Sequence, residues 1–206
     1  QFLSLTAGLA TAEGQEPPEL VLRHAQVALH RRLREGPGSL GRFVPAMAAM
    51  MERRSLVEQA LRRALAGGEI APWFMPVVSL ADGRPFAAEA LARWHSPELG
   101  WVSPAEFVPI AEQGGLIPAL TEQMLAQALE AAAGWRATEA GAGVRVSVNF
   151  SATDLSAPDS LMHLDAASRR SGLGPEAVVV EITESAALKG ATAASRLRAL
   201  HGRGYT

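Results

Sequence analysis

Cysteine is absent from the 206 residues, which excludes disulfides and thiolate chemistry and leaves the compartment open. Neither sign of charge is in excess: 19 Lys and Arg face 21 Asp and Glu, for a formal net charge of −2. Composition therefore gives no electrostatic reason to expect a nucleic acid polymer or an anionic membrane as partner. No apolar run is long enough to cross a bilayer, and no signal peptide opens the chain. His24, His30, His95, His163 and His201 are scattered, fit no ligand spacing, and read as structural or surface residues. What is present is an ordinary globular balance, 48% hydrophobic and 19% charged, enough for one large domain or a small one plus part of another. The chain opens on Gln1 rather than Met, so a piece of a longer protein is expected.

Three stretches read as strands that carry oxygen-bearing side chains. Phe86 to Trp94 is F-A-A-E-A-L-A-R-W. Alternation puts Glu89, Leu91 and Arg93 on one face and Ala88, Ala90, Ala92 and Trp94 on the other. A buried carboxylate is costly unless paired or bound to a metal, and by itself this stretch reads as a strand end with an internal Glu89–Arg93 pair. Val144 to Phe150, V-R-V-S-V-N-F, alternates strictly, with Ser147 and Asn149 sharing a face. Val178 to Ile182, V-V-V-E-I, is a β-branched run of the kind found in covered parallel strands, and carries Glu181. Glu89, Asn149 and Glu181 are thus expected near the carboxyl ends of successive strands with helices between them. In a parallel β/α barrel that end is the usual place of chemistry. Two carboxylates and an amide oxygen form an all-oxygen set that favours Mg²⁺ or Mn²⁺ over zinc.

Taken in order, residues 1–12 read as a strand with a bend near Gly8, and Pro17-Pro18 starts a helix from about Glu19 to Glu35. Val44 to Ala66 is a second amphipathic helix. A strand from Trp73 to Leu80, a turn at Asp82-Gly83 and the Glu89 strand form a hairpin. His95 to Trp101 reads as a loop. Ser103-Pro104-Ala105-Glu106 starts a helix that stops at Gly114-Gly115, and a long helix follows from about Ala119 to Glu139. Ser151 to Asp154 reads as a cap or turn, and Ser160 to Ser171 as a helix. A loop through Glu184 and a last helix capped by Thr192 complete the chain, with Tyr205-Thr206 opening another strand.

In register and order, E-A-L-A-R-W, V-S-P-A-E-F-V-P-I-A-E-Q-G-G-L-I, V-N-F-S and E-I-T-E-S resemble the EAL domain family. That family comprises cyclic di-GMP phosphodiesterases and their non-catalytic relatives. The resemblance runs from about Glu69 to the last residue. It implies an α/β fold, a TIM-like β/α barrel of the EAL type with about half present, over residues 69–206. Residues 1–42 resemble, more weakly, the tail of a degenerate GGDEF-like (diguanylate cyclase) α+β domain. They carry A-Q-V-A-L-H-R-R-L where that family shows A-D-x-A-L-Y-x-A-K, so cyclase activity finds no support. Residues 43–68 would be the connecting helix.

The EAL resemblance also implies roles. Glu89, Asn149 and Glu181 would be metal ligands in a two-metal Mg²⁺ or Mn²⁺ site, completed by residues beyond Thr206. Arg93 would contact a phosphate of cyclic di-GMP and Leu91 would line the nucleotide pocket. Glu184 would steady a loop beside the metals. The intact protein would be a cytoplasmic phosphodiesterase making linear pGpG, homodimeric through its EAL domains, with no nucleic acid polymer as partner and no membrane segment in this piece. The fragment alone would be inactive. A departure keeps a second reading open: the family's glutamine-proline pair is here Met75-Pro76, which suits a non-catalytic cyclic di-GMP receptor.

Overall fold

The computed structural model describes residues 3–12, 14–182 and 190–206. By internal packing the chain divides into two units, residues 1–56 and 57–206.

The first unit is a strand–helix–strand element. Strand β1 (Ala7–Leu9), helix α1 (Pro18–Glu35) and strand β2 (Leu40–Arg42) follow one another, and β1 pairs in parallel with β2. Proline begins α1, where its missing N–H costs nothing, and Gly36 at φ 124° ends it. Bare backbone on the strands lets the helix lie close. A Cβ on Gly8 would collide with the Ala25 carbonyl, and one on Gly41 would fall 2.7 Å from the Ala28 carbonyl oxygen. His24 stacks on Phe43 with ring centroids 3.9 Å apart.

Helix α2 (Pro45–Gly67) begins in this unit, but its second half belongs to the core of the other. Val57, Ala60, Leu61 and Ala64 are all buried there, in the same cluster as Trp94, Phe107 and Leu129.

The second unit is built on a mixed sheet. Strands β3 (Ile70–Val78) and β4 (Pro85–Ser96) form the expected antiparallel hairpin. Strand β5 (Gly100–Val102) returns against the end of β4. Helices α3 (Pro104–Gln113) and α4 (Ile117–Arg136) lead to β6 (Arg145–Phe150), which lies parallel to β4. A short turn of helix, α5 (Ala152–Ser156), precedes α6 (Ser160–Ser171). A 3₁₀ turn at Pro175–Ala177 then enters β7 (Val178–Ile182), parallel to β6, and α7 (Gly190–Gly202) follows. The path across the sheet is β3-β4-β6-β7, with β5 outside it on β4. The backbone N–H of Val180 donates to the Thr206 carbonyl at 2.8 Å, so the chain returns beside β7.

One face of this sheet is covered by helices. Ala90 and Trp94 of β4, Val146, Val148 and Phe150 of β6, and Val178 and Val180 of β7 meet Leu125, Ala128 and Leu129 of α4 and Leu164 of α6 in one cluster. Each fully buried large side chain contributes about 1.5–3 kcal/mol. Trp94 stands edge-on to Phe107 at 5.7 Å, and Phe74 to Trp135 at 4.5 Å.

Most boundaries fall within two or three residues of those expected; three readings differ more, the first being the strand expected over residues 1–12, which is only Ala7–Leu9. The stretch His95–Trp101 is not a loop: β4 runs on to Ser96 and pairs with β5. Gly100, at φ 67°, makes the tight return possible, and the Ser96 hydroxyl accepts from the Glu98 and Leu99 amides. Thr192 lies inside α7 rather than at its cap. No helix among the described residues is long and apolar enough to cross a membrane.

Candidate functional site

Strand register fixes which side chains meet. Met75 of β3 lies opposite Glu89, Glu89 opposite Ser147, and Asn149 opposite Glu181. Paired residues share a face, so Met75, Glu89, Leu91, Arg93, Ser147, Asn149 and Glu181 all lie on the sheet face away from the helices. Glu89 is not at the end of β4, as the sequence suggested. It lies in the first half of that strand, which is prolonged by β5. Relative to the parallel ladder the expected placement holds, since β4 pairs with β6 only over Ala87–Ala90.

Two direct contacts tie the polar groups together. Asn149 Nδ2 donates to Glu89 Oε1 at 3.1 Å. Ser147 Oγ donates to Glu181 Oε1 at 2.5 Å. The Asn149 amide therefore presents its nitrogen to Glu89. Exchanging the two ends of this group, which have the same shape, would present its oxygen instead. A hard divalent cation takes such oxygens, so the donor set fits one. Among the described residues no three His, Asp or Glu gather as a metal cluster; what the face offers is two carboxylates and an amide.

Arg93 does not pair with Glu89. Its Nη1 donates to the Ala92 carbonyl at 2.9 Å, and its Cζ lies 6.0 Å from the centre of the Trp73 ring. A cleft of about 520 Å³ lies between the sheet and helices α3 and α4; Val108, Leu120, Met124, Val148 and Phe150 of the helix-covered side line it, and Leu91, Arg93 and Asn149 border it. Glu184 lies outside the described residues.

Ser147 is the contributor that sequence reasoning passed over. Its position on the Asn149 face was legible; its contact with Glu181 follows from a lateral pairing that alternation within one strand does not reveal. Trp73 and Trp101 were missed for the same reason. They meet edge-on at 5.7 Å from strands 28 residues apart in sequence.

Comparison with known proteins bears on this geometry. The protein y4lL of Sinorhizobium fredii is 35% identical over 188 residues, covering 91% of this chain and 22% of its own length. The probable cyclic di-GMP phosphodiesterase PdeG of Escherichia coli is 35% identical over 152 residues, covering 72% of this chain and 29% of its own length. The chain thus spans less than a third of either relative. Among solved structures, the PaMucR phosphodiesterase in complex with c-di-GMP aligns with a TM-score of 0.69 at 29% identity, covering 73% of this chain and 61% of that one. The EAL domain model matches residues 58–206, and the chain belongs to the EAL domain family.

Proposed function

We propose that the intact protein hydrolyses one phosphodiester of cyclic di-GMP to give linear pGpG, with Mg²⁺ or Mn²⁺. The observation that carries the reading is the gathering of Glu89, Asn149 and Glu181 on one sheet face, with Asn149 bonded to Glu89. Support comes from the similarity to PdeG and to the c-di-GMP complex of PaMucR.

In the reaction, a water oxygen joins phosphorus, the bond from phosphorus to the ribose 3′ oxygen breaks, and that oxygen takes up a proton. Glu89, Asn149 and Glu181 would hold divalent metal, which when bound would supply water activation and neutralise phosphoryl charge. Arg93 holds a phosphate by charge-assisted hydrogen bonds once its guanidinium turns from the Ala92 carbonyl. Leu91, between Glu89 and Arg93 on the same face of β4, would line the nucleotide pocket. Ser147 keeps the Glu181 carboxylate in place. Glu184, outside the described residues, would act one step out from the metal.

We further read residues 1–42 as the tail of a degenerate GGDEF-like domain that makes no cyclic dinucleotide, supported by the β1–α1–β2 element. Residues 43–68 connect it to the EAL domain, and the whole acts in the cytoplasm as a homodimer through its EAL domains. A second reading, a receptor that binds without turnover, is favoured by Met75, which stands opposite Glu89 where the family usually carries glutamine.

The test is linear dinucleotide production by the intact protein and its Glu89→Ala variant with Mg²⁺ or Mn²⁺. Turnover in the wild type and none in the variant is expected, with a smaller loss of binding. Tight binding without wild-type turnover selects the receptor. Full activity in Glu89→Ala overturns the mechanism. Cyclic dinucleotide formed from GTP and Mg²⁺ would overturn the reading of residues 1–42.

A further inference from the structure

Two of the four tryptophans are held in the helix-covered side of the second unit, and two are not. Trp94 is fully buried and Trp135 packs against the same core, whereas Trp73 is 57% and Trp101 62% exposed. Tryptophan seldom leaves so much surface in water without a use for it. Register places both on the face that carries Glu89. Trp73 pairs with Leu91 and Trp101 with His95, and Leu91, Arg93 and His95 follow Glu89 at two-residue steps along β4. The rings are organised. Trp73 and Trp101 meet at 5.7 Å and 81°, His95 and Trp101 at 5.0 Å and 71°, and the Arg93 guanidinium lies 6.0 Å from the Trp73 ring centre.

We propose that Trp73 and Trp101 form an aromatic ledge that receives one guanine base of the cyclic dinucleotide and brings its phosphate to Arg93. The proposal rests on the phosphodiesterase reading of this face. Trp73 is level with Leu91, two residues beyond Glu89, or about 7 Å along the strand. A base spans that step from its own phosphate. A purine stacks on a tryptophan face more strongly than a pyrimidine because it offers the larger surface, and stacking by itself tolerates either. A base on Trp73 then sits beside a cation already drawn to that ring, so one side chain serves both halves of the nucleotide. Met75, one step back from Trp73 on the same face, offers the base no hydrogen bond. The ledge supplies affinity at the place where that polar contact is lacking.

The experiment uses the intact protein, with metal chelated so that nothing turns over. Cyclic di-GMP is titrated against tryptophan fluorescence and by calorimetry, with cyclic di-UMP as the pyrimidine control. Trp73→Ala, Trp101→Ala and the corresponding Phe variants are compared, and thermal melting confirms that each is folded. Quenching is expected in the wild type. Each Ala variant should bind about 10-fold more weakly, the loss of roughly one base–aromatic stack, and each Phe variant should recover most of it. Cyclic di-UMP should bind more weakly than cyclic di-GMP and lose less in the Ala variants. With metal restored, kcat/KM should fall about 10-fold in each Ala variant and return most of the way in each Phe variant.

Unchanged affinity in both Ala variants, with wild type still binding and hydrolysing, overturns the ledge and leaves the phosphodiesterase reading standing. Loss in Ala that Phe does not recover also overturns it, since a stacking role would be rescued. A wild type that neither binds nor hydrolyses the dinucleotide overturns both readings together.

Discussion

Ser147, only 2% exposed, donates its hydroxyl to Glu181 Oε1 across the β6–β7 pair, while Asn149 two residues further along β6 donates to Glu89 across the β4–β6 pair. One strand thus steers the carboxylates of both its neighbours. Such supporting contacts typically cost 10–100-fold in metal affinity or activity when removed. Ser147→Ala should lower turnover by about 10-fold and raise the metal concentration needed for half-maximal rate. Ser147→Thr should recover part of both. Substrate affinity measured without metal should not move, and a change there would show that the serine acts through packing instead.

Met75 invites a reverse substitution. It lies opposite Glu89 and half of its surface is exposed, so a polar replacement strands no buried group. Met75→Gln should tighten cyclic di-GMP binding by about 5-fold, near the net value of one hydrogen bond. Isothermal titration of the intact protein checks it. No change would mean that the nucleotide does not reach this side chain.

Trp94 anchors the helix-covered face. It has no exposed surface, stands edge-on to Phe107, and its Nε1 donates to Glu69 Oε2 at 3.3 Å. Trp94→Ala should cost about 3–5 kcal/mol, seen as a lower midpoint in chemical denaturation with an unchanged slope. Trp101→Ala, cutting a side chain that is 62% exposed, should cost far less. Equal losses would contradict the burial described.

Tyr205 predicts alkaline sensitivity. Burial, with the hydrogen bond its hydroxyl donates to Asp165 at 2.9 Å, pushes its pKa from 10.0 up to about 12. The folded state favours the protonated phenol. Its contribution is therefore complete below pH 10 and disappears as pH rises through about 12. Unfolding measured from pH 8 to 11.5 should show stability falling above pH 10, with a shallower fall in Tyr205→Phe. Identical slopes would dismiss this tyrosine as the cause.

The polar face was legible where a strand carries its own period. V-R-V-S-V-N-F shows which side Asn149 takes, and E-A-L-A-R-W shows that Glu89, Leu91 and Arg93 travel together. Lateral pairing was not legible, because register depends on where neighbouring strands begin and end. That is why Ser147 against Glu181 and Trp73 against Trp101 were unforeseen. The β5 return was hidden for a different reason. Three residues carry no usable period, and S-P-E-L-G has the composition of a loop until Gly100 adopts its positive φ. The Glu89–Arg93 pair failed because Arg93 finds a backbone carbonyl and an indole nearer to hand.

Helix α2 has a consequence for how such proteins are assembled from parts over evolutionary time. It is continuous from Pro45 to Gly67, yet Val57, Ala60, Leu61 and Ala64 are buried within the core that follows it. A recombination joint placed at Gly67-Gly68, where the glycines look like a natural seam, would deliver the downstream part without four of its inner side chains. A joint near Leu56 would keep them and exchange only what comes before. An exchange of what lies upstream therefore has to leave the helix from Val57 onward with this domain.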